Sequence, residues 1–278
     1  MRVLVALAAP LALTACDQPQ AGDPVGRSEI GGEAVALETA SPNPEVTPEP
    51  SRESACRTVE FEKVQLTHCI ADPAKHRIRT ALAPEGGSPW RSLSALSDAL
   101  GESRAKVAFA TNAGMFDGAG KPIGYYVENG ERLKELNRAD GSGNFHLSPN
   151  GVFFGGGGSW RVLPTDQFYA TVGDRPQFGT QSGPMLVMGG KLHPEFQADG
   201  PSVRTRNGVG VDAQGRAHFV ISEMPLSFGK FARFFRDELK TPNALYLDGG
   251  VSALWDPARN RLDKGSSIGP MLVVEDKD

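Results

Sequence analysis

Residues Ala244 to Trp255 read ALYLDGGVSALW, a continuously apolar run bounded upstream by Pro242-Asn243 and stopped by Asp248 and the pair Gly249-Gly250. This is the profile of a core strand flanked by turns, since a strand covered on both faces carries no polar alternation. Its end delivers a carboxylate to a surface, and the glycines behind it let backbone or ligand approach closely. The stretch by itself allows two readings. Asp248 caps an ordinary Asp-Gly turn, or it is a functional carboxylate.

The same event recurs along the chain. Val107-Ala108-Phe109-Ala110-Thr111 predicts a second core strand that runs into Asn112-Ala113-Gly114, and Gln181-Ser182-Gly183-Pro184 is a turn beside the apolar Met185-Leu186-Val187. Arg204-Thr205-Arg206-Asn207-Gly208-Val209 leads through Gln214-Gly215 into Ala217–Ile221, a hairpin ending at Ser222-Glu223. Leu93, Leu96 and Leu100 have helical spacing behind an N-cap at Ser92. Phe228, Phe231, Phe235 and Leu239 mark an amphipathic helix capped by Ser227, its aromatic stripe packed on the sheet. Thr58–Ile70 and His76–Leu82 are expected to form two strands joined by a turn, and Pro270–Val274 a final strand. Short strands are expected at Gly124–Val127, Leu133–Leu136 and Gly151–Phe154, with Gly155–Gly158 turning the last into Trp160–Leu163.

The chain has 278 residues and a hydrophobic fraction of 39%, enough for a sizeable core. A net charge of -4 argues against a nucleic-acid partner, which calls for a basic face. Met1-Arg2 followed by an apolar Val3–Leu13 predicts a signal peptide over residues 1–15, too short to span a bilayer as a mature helix. Leu13-Thr14-Ala15-Cys16 resembles the bacterial lipobox, which implies lipidation at Cys16 and a membrane anchor. Plain secretion with cleavage nearby is the alternative. Asp17 resembles the inner-membrane retention signal of some bacteria. Residues 16–54, rich in Pro, Gly, Glu, Ser and Ala, are expected to be a disordered tether, and 55–278 the folded domain. Export also places Cys56 and Cys69 in an oxidising compartment, where a disulfide between them would close a small loop.

Several chemistries lack their residues. The sequence has no CxxC or HExxH, so no metal site or cofactor is assigned, although a divalent cation held by oxygen ligands alone would leave no such motif. The four-glycine run has no phosphate-loop lysine, and Ser182 stands outside a GxSxG elbow.

The succession NAGMF, GNFHLSPNGVFF, QSGPMLV, RNGVGV, a phenylalanine-rich helix and ALYLDGGVSALW resembles the phosphodiester glycosidase family, above all its small bacterial exported members. The resemblance runs over roughly residues 56 to 278. It implies an α+β, mixed α/β fold: a single domain on a mixed, largely antiparallel β-sheet with a few packed helices. It also implies hydrolysis of the glycosidic bond in a sugar-1-phosphodiester, here of an envelope glycan or glycolipid, by an exported enzyme lipid-anchored on the periplasmic side. The family's RTxxG segment falls on Arg206, Asn207 and Gly210, with Asn207 in place of threonine. Its aspartate falls on Asp248, followed by Gly249, Gly250 and Ser252, with Val251 in place of a third glycine. Asn112 matches the first motif, and Ser182, Gly183 and Pro184 match the bacterial SGP motif.

Such a substrate needs an oxocarbenium-like centre stabilised and an anionic leaving group held. Arg206 is the first candidate for the phosphate, because a guanidinium fork matches phosphate oxygens, with Arg204 and Lys134 in reserve; for each, a solvated surface charge is the alternative. A phosphodiester already leaves well, so one carboxylate could suffice, as base or nucleophile. Asp248 is that candidate, and Glu223 is the other acid expected at the end of an apolar strand. Asn112, Gly114, Asn150, Ser182, Gly183, Asn207, Gly249, Gly250 and Ser252 are candidate substrate-binding positions, Asn150 having pure turn chemistry as its alternative. Two other classes compete: a non-catalytic glycan-binding envelope lipoprotein, and hydrolysis at phosphorus, for which the sequence shows no cluster of metal-binding carboxylates and histidines.

Overall fold

The computed structural model describes residues 52–277, which fall within one compact unit. The expected signal peptide, Cys16 and the tether up to residue 51 lie outside the described residues. Residues 52–54, which composition assigns to the tether, are bonded to the body. Arg52 Nη1 donates to the carbonyls of Ala105 (2.8 Å) and Val107 (2.9 Å), and Ser54 Oγ donates to the Asp256 carboxylate at 2.6 Å. Among the described residues no helix is long and apolar enough to cross a membrane.

The strands β1 (Cys56–Phe61), β2 (Val64–Ala71) and β3 (His76–Ala81) precede helix α1 (Leu93–Leu100) and strand β4 (Val107–Asn112). Then come β5 (Tyr126–Glu128), β6 (Glu131–Lys134), β7 (Gly151–Gly156), β8 (Ser159–Pro164) and helix α2 (Thr165–Thr171). Next are β9 (Phe178–Ser182), β10 (Met185–Met188), β11 (Lys191–Leu192), β12 (Asn207–Val211) and β13 (Ala217–Ser222). Helix α3 (Phe228–Arg233) leads to β14 (Asn243–Tyr246), β15 (Leu254–Asp256), β16 (Arg261–Leu262) and β17 (Met271–Asp276). The caps are local: Ser92 Oγ accepts from the Ala95 amide and Ser227 Oγ from the Lys230 amide, both at 3.1 Å.

These elements form an α+β domain on three sheets, of order β1-β2-β13-β12-β14-β10-β11, β16-β15-β4-β17-β3 and β6-β5-β9-β7-β8. Every pairing among the described residues is antiparallel, so the expected largely antiparallel arrangement is present, spread over three sheets and with no parallel pair among those residues. Short connections give hairpins, whereas a parallel pair needs a long crossover. Phe109 of β4, Phe153 of β7, Phe178 of β9, Val209 of β12 and Leu245 of β14 meet in a central core fed by all three sheets. On its other face the seven-stranded sheet is covered by α3, through Phe231, and by the π-helical turn Phe234–Glu238 that continues it, through Phe234 and Phe235. Helix α1 covers the sheet containing β4, and α2 the sheet containing β9.

Local signals misplace one turn. Thr58–Ile70 is a hairpin rather than one strand, turned at Glu62 (φ 45°) and Lys63 (φ 64°), both in the left-handed region without the Asn or Gly that normally marks such a turn. Cys56 and Cys69, opposite each other across this hairpin, are disulfide-bonded. Over 165–182, where the sequence predicts no helix, α2 and the polar β9 are present.

Candidate active site

Four strand ends converge on Asp248. Its amide donates to the Ala113 carbonyl behind β4 (3.1 Å), and its carbonyl accepts from Asn112 Nδ2 (2.8 Å) and the Val251 amide (3.2 Å). The Leu247 amide donates to the Asn207 carbonyl at the start of β12 (3.0 Å), and the Tyr246 amide to Pro184, just beyond β9 (3.0 Å). Gly114 closes the ring: its amide donates to Thr180 Oγ1 (3.1 Å), and a Cβ there would collide with the Gln181 carbonyl oxygen.

Asn112 holds the loop through backbone. Its Oδ1 accepts from the Ala253 amide (3.0 Å) and from Asn207 Nδ2 (2.9 Å), while its Nδ2 holds Asp248, so one side chain clamps both ends of the segment 248–253. Asn112 is thereby a positioning residue. Asn207 is 1% exposed, and its Oδ1 has no partner; Ser182, fully buried, has a partnerless Oγ. Two polar atoms thus lie buried and unsatisfied beside the site, a costly arrangement that elsewhere in proteins is rare.

Strand parity separates the charged candidates. On β12, Gly208 faces Leu186 and Phe231 beneath α3, whereas Val209 enters the central core. Arg206 accordingly lies on the α3 side, with its guanidinium 3.5 Å from the Phe228 ring centre, and Asn207 lies on the other. Arg206 is 1% exposed. Its Nε donates to the Leu226 carbonyl (2.9 Å) and its Nη2 to the Ser202 carbonyl (2.7 Å). Burial lowers its pKa, opposed by Tyr246. The first candidate for the phosphate is thus buried, with Nε and Nη2 on backbone carbonyls and its guanidinium over an aromatic face.

Tyr246 connects Arg206 to Asp248. Its phenol is 2% exposed, its pKa is raised by burial, and it feels Arg206 on one side and the Asp248 charge on the other. It also explains Gly249, where a Cβ would sit 2.7 Å from the tyrosine ring. Burial holds the Asp248 carboxyl above the usual aspartate range, and the Gly250 amide opposes this in part.

Glu223 belongs elsewhere. Ile221 faces the central core, and Glu223, two residues on, accepts from Thr67 Oγ1 (2.5 Å) and Arg261 Nη1 (2.6 Å). It is thus an ion-paired residue on the side opposite Arg206. Asn150 ties loops together, its Nδ2 donating to the Phe145 carbonyl (2.8 Å) and its Oδ1 accepting from Thr165 Oγ1 (2.6 Å). Gly183 follows Ser182 at the end of β9, and Ser252 Oγ donates to the Gly249 carbonyl (2.9 Å) inside the loop. Arg204 and Lys134 are exposed, Arg204 donating to the Val203 carbonyl and Lys134 standing on the strand β6 at a sheet edge. Asn112, Gly114, Ser182, Arg206, Asn207, Asp248 and Gly249 are therefore brought together, and Glu223 and Lys134 are not. Among the described residues no three His, Cys, Asp or Glu side chains form a metal-holding group.

A family model, that of the phosphodiester glycosidases, matches residues 105–275, from just before β4 into β17, and so spans every converging strand end. The chain belongs to the phosphodiester glycosidase family. A relative of this family member, the uncharacterized protein YigE of Escherichia coli (strain K12), is 34% identical over 184 residues, covering 66% of this chain and 71% of that one. The catalytic domain of zebrafish N-acetylglucosamine-1-phosphodiester alpha-N-acetylglucosaminidase, auto-inhibited by its pro-peptide, superposes with a TM-score of 0.55 at 15% identity. That match covers 83% of this chain and 85% of the zebrafish chain. A candidate exported protein of Burkholderia pseudomallei K96243 superposes at 0.51 and 11% identity, over 76% and 74% of the two chains. At such identities the two structures establish the shared fold.

Two residues of this cluster had no role assigned from sequence. Tyr246 reads as one more apolar position in a core strand. Gln181 reads as part of a turn, yet its Oε1 accepts from the Tyr125 (2.8 Å) and Asn137 (2.9 Å) amides, fixing the connection between β4 and β7.

Proposed function

We propose that this chain hydrolyses the glycosidic bond of a sugar-1-phosphodiester in an envelope glycan or glycolipid. The observation that carries the reading is Asp248: a carboxyl raised by burial, locked through its backbone by β4 and β12, with partnerless polar groups of Ser182 and Asn207 in the same cluster. Family membership supports the reaction class, and the zebrafish enzyme's name supports the type of linkage. With Glu223 engaged by Arg261 and Thr67, Asp248 acts without a second strand-end carboxylate, as base or nucleophile toward the anomeric carbon. A phosphodiester leaving group makes this sufficient, since its departure needs little protonation. Arg206, Phe228 and Tyr246 pack together, and Tyr246 feels the Asp248 charge.

The enzyme would act while exported and lipid-anchored in the envelope. The supports are the N-terminal signal pattern, Cys16 and the likeness to a candidate exported protein.

Asp248→Asn tests the chemistry. Sugar release from a sugar-1-phosphodiester should fall by about 10²–10⁴, the usual worth of a positioned base, while ligand binding persists. In the wild type the acid limb of kcat/KM against pH should lie above the ordinary aspartate range, because the base must be ionised. Label from oxygen-18 water should enter the sugar; label in the phosphate would refute cleavage at the anomeric carbon. Binding without sugar release across varied sugars and added metal ions would favour the glycan-binding class instead.

A further inference from the structure

Arg206 is a buried cation with no carboxylate partner among the described residues. Buried charges are ordinarily paired, because leaving water is costly. Its guanidinium instead caps a column of rings, lying 3.5 Å from the Phe228 ring centre, with Phe228 stacked on Phe196 at 4.8 Å and Phe196 on His193 at 4.7 Å. Backbone carbonyls take Nε and Nη2. The Tyr246 ring centre stands 5.6 Å from the guanidinium carbon, and the ring packs T-shaped against Phe228.

Parity on β14 directs this tyrosine. Leu245 and Leu247 enter the central core, so Tyr246 projects to the α3 side together with Ala244. An apolar side chain would serve that packing, and the hydroxyl is the part that the strand does not call for. It ends at the active-site turn: the nearest atom to a Cβ on Gly249 would be the phenol oxygen, and the nearest to one on Gly250 would be Asp248 Oδ1, at 3.5 Å. The phenol and the carboxylate therefore rest on successive residues of one turn. The donors facing the phenol oxygen are the Arg206 guanidinium and the Gly249 amide. Neither can accept a hydrogen bond, so the phenol's own hydrogen is left for another acceptor. Asp248 is the acid whose charge reaches it.

We propose that Tyr246 is a positioning residue for Asp248: its hydroxyl, polarised by Arg206, directs its hydrogen to the carboxylate, which orients Asp248 and favours its ionised form. The assignment rests on the glycosidase reading for its catalytic meaning. Burial by itself favours the protonated acid, which serves neither as base nor as nucleophile, and a hydrogen bond from the phenol opposes this in the way the Gly250 amide does. Arg206 thus acts on the carboxylate through a neutral hydroxyl, without a direct ion pair.

The test follows the Asp248 carboxyl by carbon-13 NMR across pH in the full chain, which needs no turnover. Tyr246→Phe keeps the ring on Phe228 and removes the oxygen, so Asp248 should titrate about one pH unit higher than in wild type, the loss of one hydrogen bond to a charged group. The acid limb of kcat/KM should move upward with it, and kcat should fall about tenfold while KM stays within about twofold. Phe196→Leu thins the ring column with the hydroxyl in place; it should lower the melting temperature and leave the titration where it is. If Tyr246→Phe fails to fold, a ring-fluorinated tyrosine at position 246, a stronger donor of nearly the same shape, should move the titration downward. An Asp248 titration unmoved by these changes at 246, or moved equally by Phe196→Leu, overturns the assignment and leaves the glycosidase reading to its own sugar-release assay. A titration that depends on Tyr246 in a protein that releases no sugar does the reverse, sustaining the coupling and removing the glycosidase.

Discussion

Asn112 spends its side-chain amide on holding backbone and a neighbouring asparagine, and that explains how a single carboxylate keeps its place at the end of a short strand. The adjacent glycines do unequal work. Gly249 faces the Tyr246 ring, whereas the nearest atom to a Cβ on Gly250 would be Asp248 Oδ1 at 3.5 Å, an ordinary contact. Gly249→Ala should therefore lower stability by about 1–3 kcal/mol, as overpacking does, and depress sugar release by displacing Tyr246 and Asp248. Gly250→Ala should stay within about 0.5 kcal/mol of wild type. Thermal unfolding of the two variants side by side decides this, and equal losses would show that Tyr246 does not dictate the glycine. At this scale the sequence pointed to Asp248 and its glycines, because an abrupt end to an apolar run is a local event. It did not show how Arg206 is held, because nothing local records that Phe228 and the carbonyls of Ser202 and Leu226 enclose it.

Within the strands, parity is the deciding property. The strands β2 and β13 place His68 and His218 side by side, Nε2 to Nδ1 at 2.9 Å, and His218 Nε2 reaches Asp212 Oδ2 at 3.0 Å. Both rings are buried, and burial together with His218 pushes the His68 pKa down to about 3. In the unfolded chain the ring takes its proton near pH 6.5, as histidine ordinarily does, at about that value. The folded-state pKa is thus the depressed one. Its contribution is fully present above about pH 6.5 and is lost as pH falls toward about 3, by up to about 1.4 kcal/mol for each pH unit. Urea midpoints measured from neutral to acidic pH should fall more steeply for wild type than for His68→Gln; parallel curves would reject the assignment. The hairpin at Glu62-Lys63 shows the complementary failure at this scale. Its turn was invisible because the residues adopt positive φ without the chemistry that advertises it.

Across the molecule, antiparallel sheets share one core, and the disulfide, buried within that core, ties the edge strand of the seven-stranded sheet rather than the strand at the site. In the sheet order β1-β2-β13-β12-β14, three strands separate the Cys56 strand from the strand that leads to Asp248. Replacing both cysteines by serine should lower stability by about 2–3 kcal/mol, the expected effect of opening a loop of this length, and leave sugar release at 25 °C (about 298 K) unchanged. Combined loss of stability and activity would show that the edge strand also supports the site. The sequence by itself determined the strand ends, the two serine caps, the aromatic helix and the family motif around Asp248, since each is written in neighbouring residues. Only the tertiary structure decided which ends meet and which side chains share a face: Asn207 reaches Asn112 across 95 positions, and Glu223 reaches Arg261 across 38. Periodicity records that a residue is buried, whereas the partner that buries it is chosen by packing between distant strands.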